Sequence, residues 1–99
     1  MSVSSADIVV RDNEPVAATV DEEVVILSMQ AQAYFGLGDT GSRIWEMLAT
    51  PRRVSDLCAE LTQIYQVDQQ TCDHDTITFL NKLLSEGLIR IVGPEGPAR

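Results

Sequence analysis

The chain has 99 residues, a hydrophobic content of 44%, and 15 Asp and Glu against 7 Lys and Arg, for a net charge of −8. Its length predicts one domain with a small core, and its apolar content excludes outright disorder. So few cations oppose binding to nucleic acid phosphates or to an anionic membrane surface, and no apolar run approaches the ~20 residues that cross a bilayer.

The amino-terminal "MSVSSADIVVRD" lacks the basic segment and long apolar stretch of a secretory signal, so a cytoplasmic location is expected. It contains a short apolar run, Ile8 to Val10, followed by the turn signal "RDNEP". "VAATV" (16–20) reads as a strand, "DEE" (21–23) as an acidic turn, and "VVILSM" (24–29) as a second, β-branched strand. "AYFGL" (33–37) is the third, with Ala33, Phe35 and Leu37 on one face and Tyr34 and Gly36 on the other. Short connections make these an antiparallel meander.

The period then changes. Gly38 suits a positive φ where the chain leaves the strand, and Asp39 or Thr40 is placed to cap a helix. That helix carries Ile44, Trp45 and Leu48 at helical spacing, keeps Gly41 for a close approach, and ends before Pro51. Ser55 is the expected cap of a second helix running to Tyr65, with Leu57, Cys58, Leu61 and Ile64 inward. A third helix spans about 70 to 86, capped by Asp68 or Thr71 and stopped by Gly87. "LIRIV" (88–92) is a short extended segment. The fold class is therefore α+β: a three-stranded antiparallel sheet followed by a three-helix bundle, resembling a winged helix-turn-helix. Residues 1–92 form the expected single domain, with a core from 16 to 91, and 93–99 a flexible tail.

Chemistry-bearing residues are few. His74 is the only histidine, two positions from Cys72, and residues two apart on a helix point in nearly opposite directions, so they do not converge on one atom. Zinc binding by Cys58, Cys72 and His74 fails on the same geometry and lacks a fourth ligand. The two cysteines form no CxxC pair, and buried thiols are expected rather than a disulfide. Gly36, Gly38 and Gly41 match G-x-G-x-x-G, yet the parallel βαβ unit that such a fingerprint serves is missing from the pattern. No catalytic residue, metal or cofactor is expected. On the third helix Thr76, Leu80 and Leu84 form a core stripe flanked by Ile77 and Leu83. Phe79 and Cys72 lie further round, near Asp75 and Lys82, widening the apolar arc to ~160° at ~100° per residue. Either both edges of that arc are covered by the other helices, or one of them lines a groove.

"YFGLGDTGSRIWEML" together with "TPRRVSDLCAELTQIYQVDQQTCDHDTITFLNKLLSEGLI" resembles the PqqD-like proteins. These are precursor-peptide recognition elements of ribosomally made, modified peptides, and the stand-alone type of lasso peptide biosynthesis is the nearest in pattern. The marks are Gly41-x-x-Ile44-Trp45, Pro51-Arg52-x-Val54, Leu61-x-x-x-Tyr65-x-Val67, Asp75-x-x-x-Phe79-Leu80-x-x-Leu83 and Gly87-Leu88. Gly38 departs from the family, which often has Asn there; both tolerate a left-handed backbone. The resemblance implies a non-enzymatic module that takes a leader peptide as an added strand and hands the precursor to a leader peptidase and a macrolactam cyclase. Affinity would come from main-chain hydrogen bonds and specificity from side-chain pockets. The implied site is the backbone of Ala33, Tyr34, Phe35, Gly36 and Leu37, with Phe35, Phe79, Leu83 and the stem of Lys82 as apolar walls. Cys72 would floor one end, and Asp75 would pair with a polar or basic leader residue.

Two other readings compete. A winged helix-turn-helix DNA-binding regulator fits the element order, but the net charge and Asp73, Asp75 and Glu86 on or beside the third helix oppose it. An acyl-carrier domain has neither the meander nor, here, the Asp-Ser-Leu at a helix start.

Overall fold

The computed structural model describes residues 3–12, 16–28 and 32–93. The meander is present as β2 (Val16–Val20), β3 (Glu23–Ser28) and β4 (Ala33–Gly36), antiparallel in the order β2-β3-β4. The β2–β3 turn is two residues long, Asp21 and Glu22, both at positive φ (53° and 70°), as a primed hairpin turn requires. Glu23, expected in the turn, opens β3. Alternation along β3 sends Val24 and Ile26 into the core, at 4% and 0% exposure, and leaves Glu23 and Leu27 outside.

A second sheet was not foreseen. It takes β1 (Ile8–Arg11) as its centre, flanked by β5 (Arg52–Arg53) and β6 (Ile89–Gly93), in the order β5-β1-β6. The short run Ile8 to Val10, the "PRR" that ends the first helix and the extended tail thus become one antiparallel unit. Val9 is fully buried at its centre. Residues 94–99, most of the expected tail, lie outside the described residues, while Gly93 belongs to β6.

The helices are α1 (Gly38–Met47), α2 (Val54–Tyr65) and α3 (Gln69–Ser85). Their starts correct the expected caps. Position 37, a leucine, precedes α1 without a side-chain cap, so neither Asp39 nor Thr40 plays that part; Asp39 sits in the first turn, where a carboxylate favours the helix dipole. Ser55 lies inside α2 rather than before it. The free N–H groups of Val54 and Ser55 donate instead to the carbonyls of Asp7 (2.9 Å) and Ser5 (3.0 Å), so the amino-terminal segment caps α2. For α3, Asp68 is the cap: its carboxylate accepts from the Thr71 N–H at 3.0 Å. Gly87, at φ 76°, ends α3 as expected, with Gly87 N–H donating to Leu84 O (3.0 Å) and Leu88 N–H to Leu83 O (2.9 Å), the paired bonds of a Schellman motif.

Trp45, Leu48, Val54, Leu57, Leu61, Leu80 and Leu88 form the centre of the core, each 2% exposed or less. Ile64, read as inward, is 45% exposed, and two residues on the chain reverses at Gln66, which is left-handed at φ 53°. Ser42 ties α1 to the meander, its buried Oγ accepting from the Val24 N–H at 2.7 Å. Among the described residues no helix is long and apolar enough to cross a membrane.

Candidate functional site

Strand β4 pairs with β3 on one side only, and among the described residues no strand covers its other side. Its N–H and C=O groups along that side are available for pairing, a situation folded proteins normally blunt. Directly after β4 the chain turns at Gly38 (φ 74°) into α1. The first turns of α1 then face α3 across a groove.

Gly41 determines how close the two helices come. A Cβ on Gly41 would lie 3.0 Å from Phe79 Cζ and 3.2 Å from Leu37 Cβ, so the Phe79 ring rests on bare helix backbone. Around this contact is a cavity of about 280 Å³ lined by Leu37, Ile44, Asp75 and Phe79 among others. A second, of about 310 Å³, continues from it toward the end of α2, lined by Leu61, Tyr65, Val67 and Cys72. Thr40, Asp75 and Thr76 border both, so the two form one groove. Its walls are mainly aliphatic and aromatic. Asp75, exposed, supplies a carboxylate at the point where the two halves meet.

The thiols lie beneath this groove. Cys72 is 6% exposed at its floor, with its Sγ 3.7 Å from Cys58 O and 3.8 Å from Thr76 Oγ1. Cys58 is buried behind it. Burial pushes the Cys58 thiol up to about 12, reinforced by a hydrogen bond to the Asp73 carboxylate and opposed by one to Thr76. Both cysteines are free.

Of the residues anticipated from the sequence, Leu37, Cys72, Asp75 and Phe79 meet in this groove. Phe35 lies half-buried on the inner side of β4, packed against the core next to it. Tyr34 is 69% exposed on the outer side, and Ala33 and Gly36 contribute edge backbone. Lys82 is exposed on α3 and lines neither cavity. Leu83 is 2% exposed within the core and offers no surface. The sequence reading did not assign Thr40, Ile44, Tyr65, Val67 and Thr76 to a site. The available signal was Tyr65 and Val67, two apolar residues straddling a helix end where a core has little use for both.

An open strand edge beside an apolar groove defines a class of protein module, one shaped to accept an extended segment of another chain. The comparisons with known proteins agree with that class. The family model for coenzyme PQQ synthesis protein D (PqqD) matches residues 23–89, and the chain belongs to the PqqD family. A solved structure described as TbiB1 in complex with the TbiA(beta) leader peptide is 34% identical, covering 91% of this chain and 99% of that one, with a TM-score of 0.74. The solution NMR structure of the PqqD truncation of Methylobacterium extorquens PqqCD is described as a functional and stand-alone recognition element for ribosomally synthesised and post-translationally modified peptides. It shares the fold at a TM-score of 0.75, with 18% identity over 90% of this chain and 95% of that chain. No curated protein matches the chain. Neither solved relative lends support to a DNA-binding regulator.

Proposed function

We propose that this protein is a non-enzymatic recognition module that binds the leader of a ribosomally made precursor peptide. The leader adds as a strand along the β4 edge and drops alternate side chains into the groove between α1 and α3. The module thereby delivers the precursor to a leader peptidase and a macrolactam cyclase, as in lasso peptide biosynthesis. The observation that carries this reading is the juxtaposition of an unpaired β4 edge with a continuous apolar groove at its carboxyl end. Strand addition explains why both features occur together: backbone pairing is sequence-tolerant, and the pockets select the peptide. The 34% identical relative solved with its leader peptide supports the same ligand class.

Within this reading, the backbone of Ala33 to Leu37 pairs with the peptide. Leu37 and Phe79 wall the first pocket, and Cys72 floors the second. Asp75 is exposed and contributes at most ~0–1 kcal/mol through an ion pair, so affinity rests on apolar anchors. Titration of isotopically labelled protein with the cognate leader tests the assignment by NMR. Shifts are expected at 33–41, at Tyr65 and Val67, and at 72–79. Shifts confined to β1, β5 and β6 would refute the groove even if the peptide binds.

A further inference from the structure

Strand β2 has a free edge of its own. It pairs with β3 on one side, and among the described residues no strand covers the other. Folded proteins blunt such edges with charge, proline or a bulge. β2 has none of these: "VAATV" is uncharged and stays in unbroken register with β3, from Val16↔Leu27 to Val20↔Glu23. Both of its faces are also open. Ala17 and Thr19 stand beside Ile26 and Val24, whose side chains are buried, yet Ala17 and Thr19 are exposed. Ala18 and Val20 are exposed on the opposite face. The helical layer therefore stops over β3, where Ser42 of α1 holds the Val24 N–H, and does not reach β2.

The strand is also nearly its own reverse. Antiparallel pairing of two copies about Ala18 sets Ala18 opposite Ala18, Ala17 opposite Thr19, and Val16 opposite Val20. Every pair joins small or β-branched residues, so no bulky or charged side chain obstructs the approach. The two-fold axis of such a pair stands perpendicular to the sheet and keeps both helical layers on the same side of it. The bare inner face of β2 leaves room between those layers. We infer that the β2 edge docks a second copy of this chain, joining two three-stranded meanders into one sheet in the order β4-β3-β2-β2-β3-β4.

One pair of five-residue strands falls short of the ~1,200–2,000 Å² of a standard interface, so this dimer is weak and forms at high concentration. Each copy carries a net charge of −8, and Asp21 and Glu22 follow directly on β2 at each end of the new pair. Added salt therefore strengthens the dimer by screening that repulsion. Both β4 edges stay free at the outer ends of the joined sheet. Under the function proposed above, the dimer holds two leader peptides on opposite sides.

Sedimentation equilibrium of the whole chain tests this. Between about 10 and about 500 μM the average mass should rise from monomer toward dimer, and it should rise further between about 50 and about 500 mM salt. Ala18→Lys sets like charges face to face and should weaken the dimer about tenfold, with leader affinity within about twofold of wild type. Ala18→Cys introduces no bulky or charged group. It should cross-link under mild oxidation several-fold faster than Val20→Cys, because only position 18 meets itself. Leader-saturated wild type should still dimerise. The proposal is overturned if wild type stays monomeric throughout, or if Ala18→Lys, folded by circular dichroism, dimerises as wild type does. It is also overturned if Ala18→Cys cross-links no faster than Val20→Cys, or if the leader dissolves the dimer, which would assign the contact to the β4 edge. Failure of wild type to bind the leader would refute the function proposed above, and the sedimentation would still decide the β2 edge.

Discussion

The ring of Phe79 on α3 lies against Gly41 on α1, so close that a methyl group at position 41 would stand 3.0 Å from Phe79 Cζ. Leu37 closes the same space from the end of β4, at 3.2 Å. Three elements thus meet at one residue without a side chain, and the groove begins there. The width of the candidate site is controlled by this contact.

Gly41→Ala therefore has two opposed effects. Helix propensity favours alanine by ~1 kcal/mol. Overpacking costs ~1–3 kcal/mol, since Phe79 must tilt and Leu37 Cβ, close to the backbone, has little freedom to move. The expected net is a loss of about 1 kcal/mol by urea denaturation, with weakened leader binding as Phe79 is displaced into the groove. A variant as stable as wild type with unchanged leader affinity would show that the contact is slack.

Trp45 is 2% exposed, and its carbonyl accepts from Arg11 Nη1 at 3.3 Å while the Arg11 guanidinium sits 5.4 Å from the centre of its ring. It joins α1 to β1. Trp45→Ala should cost ~3–5 kcal/mol, enough to unfold most of the population in a domain this small. Retention of a melting temperature within a degree or two of wild type would contradict this packing.

The β2–β3 turn holds Glu22 at φ 70°, where a side chain is strained. Asp-Gly is the preferred sequence of such a two-residue turn. Glu22→Gly should stabilise the protein by about 1 kcal/mol, raising the melting temperature by roughly 4–8 °C for a domain of this length. A lower melting temperature would show that Glu22 makes a contact worth more than the strain.

Cys58 is expected to be inert when folded. With its thiol held up at about 12, almost no thiolate is present near pH 8, and iodoacetamide should label it only after denaturation. The unfolded chain ionises first, near 9.0, so this contribution to stability is intact below about pH 9 and is lost as pH rises toward 12. Urea midpoints of wild type should accordingly fall more between pH 8 and about 10.5 than those of Cys58→Ala. Equal falls would sink the assignment, as would rapid labelling of Cys58 in the native state.

Local pattern was sufficient for what depends on neighbours in the chain. Alternation in "VVILSM" and "AYFGL", helical spacing around Trp45, the Asp68 cap and the Gly87 stop each declare an element whose backbone bonds close within a few residues or across a tight turn. The antiparallel meander, the three helices and the family were legible for that reason. Tertiary structure alone decided the rest. Ile8 to Arg11 and Arg52–Arg53 do not announce themselves as strands, and the segment 88–92, legible as extended, declares no partner; all three form a sheet only by pairing across some 40 to 80 residues. The cap of α2 comes from Ser5 and Asp7 rather than from Ser55, and whether Ile64 or Leu83 meets water depends on which helix packs over it. The groove follows the same logic. Leu37, Gly41, Tyr65, Cys72 and Phe79 share no periodicity, and only the crossing of α1, α2 and α3 beside the β4 edge brings them to one surface.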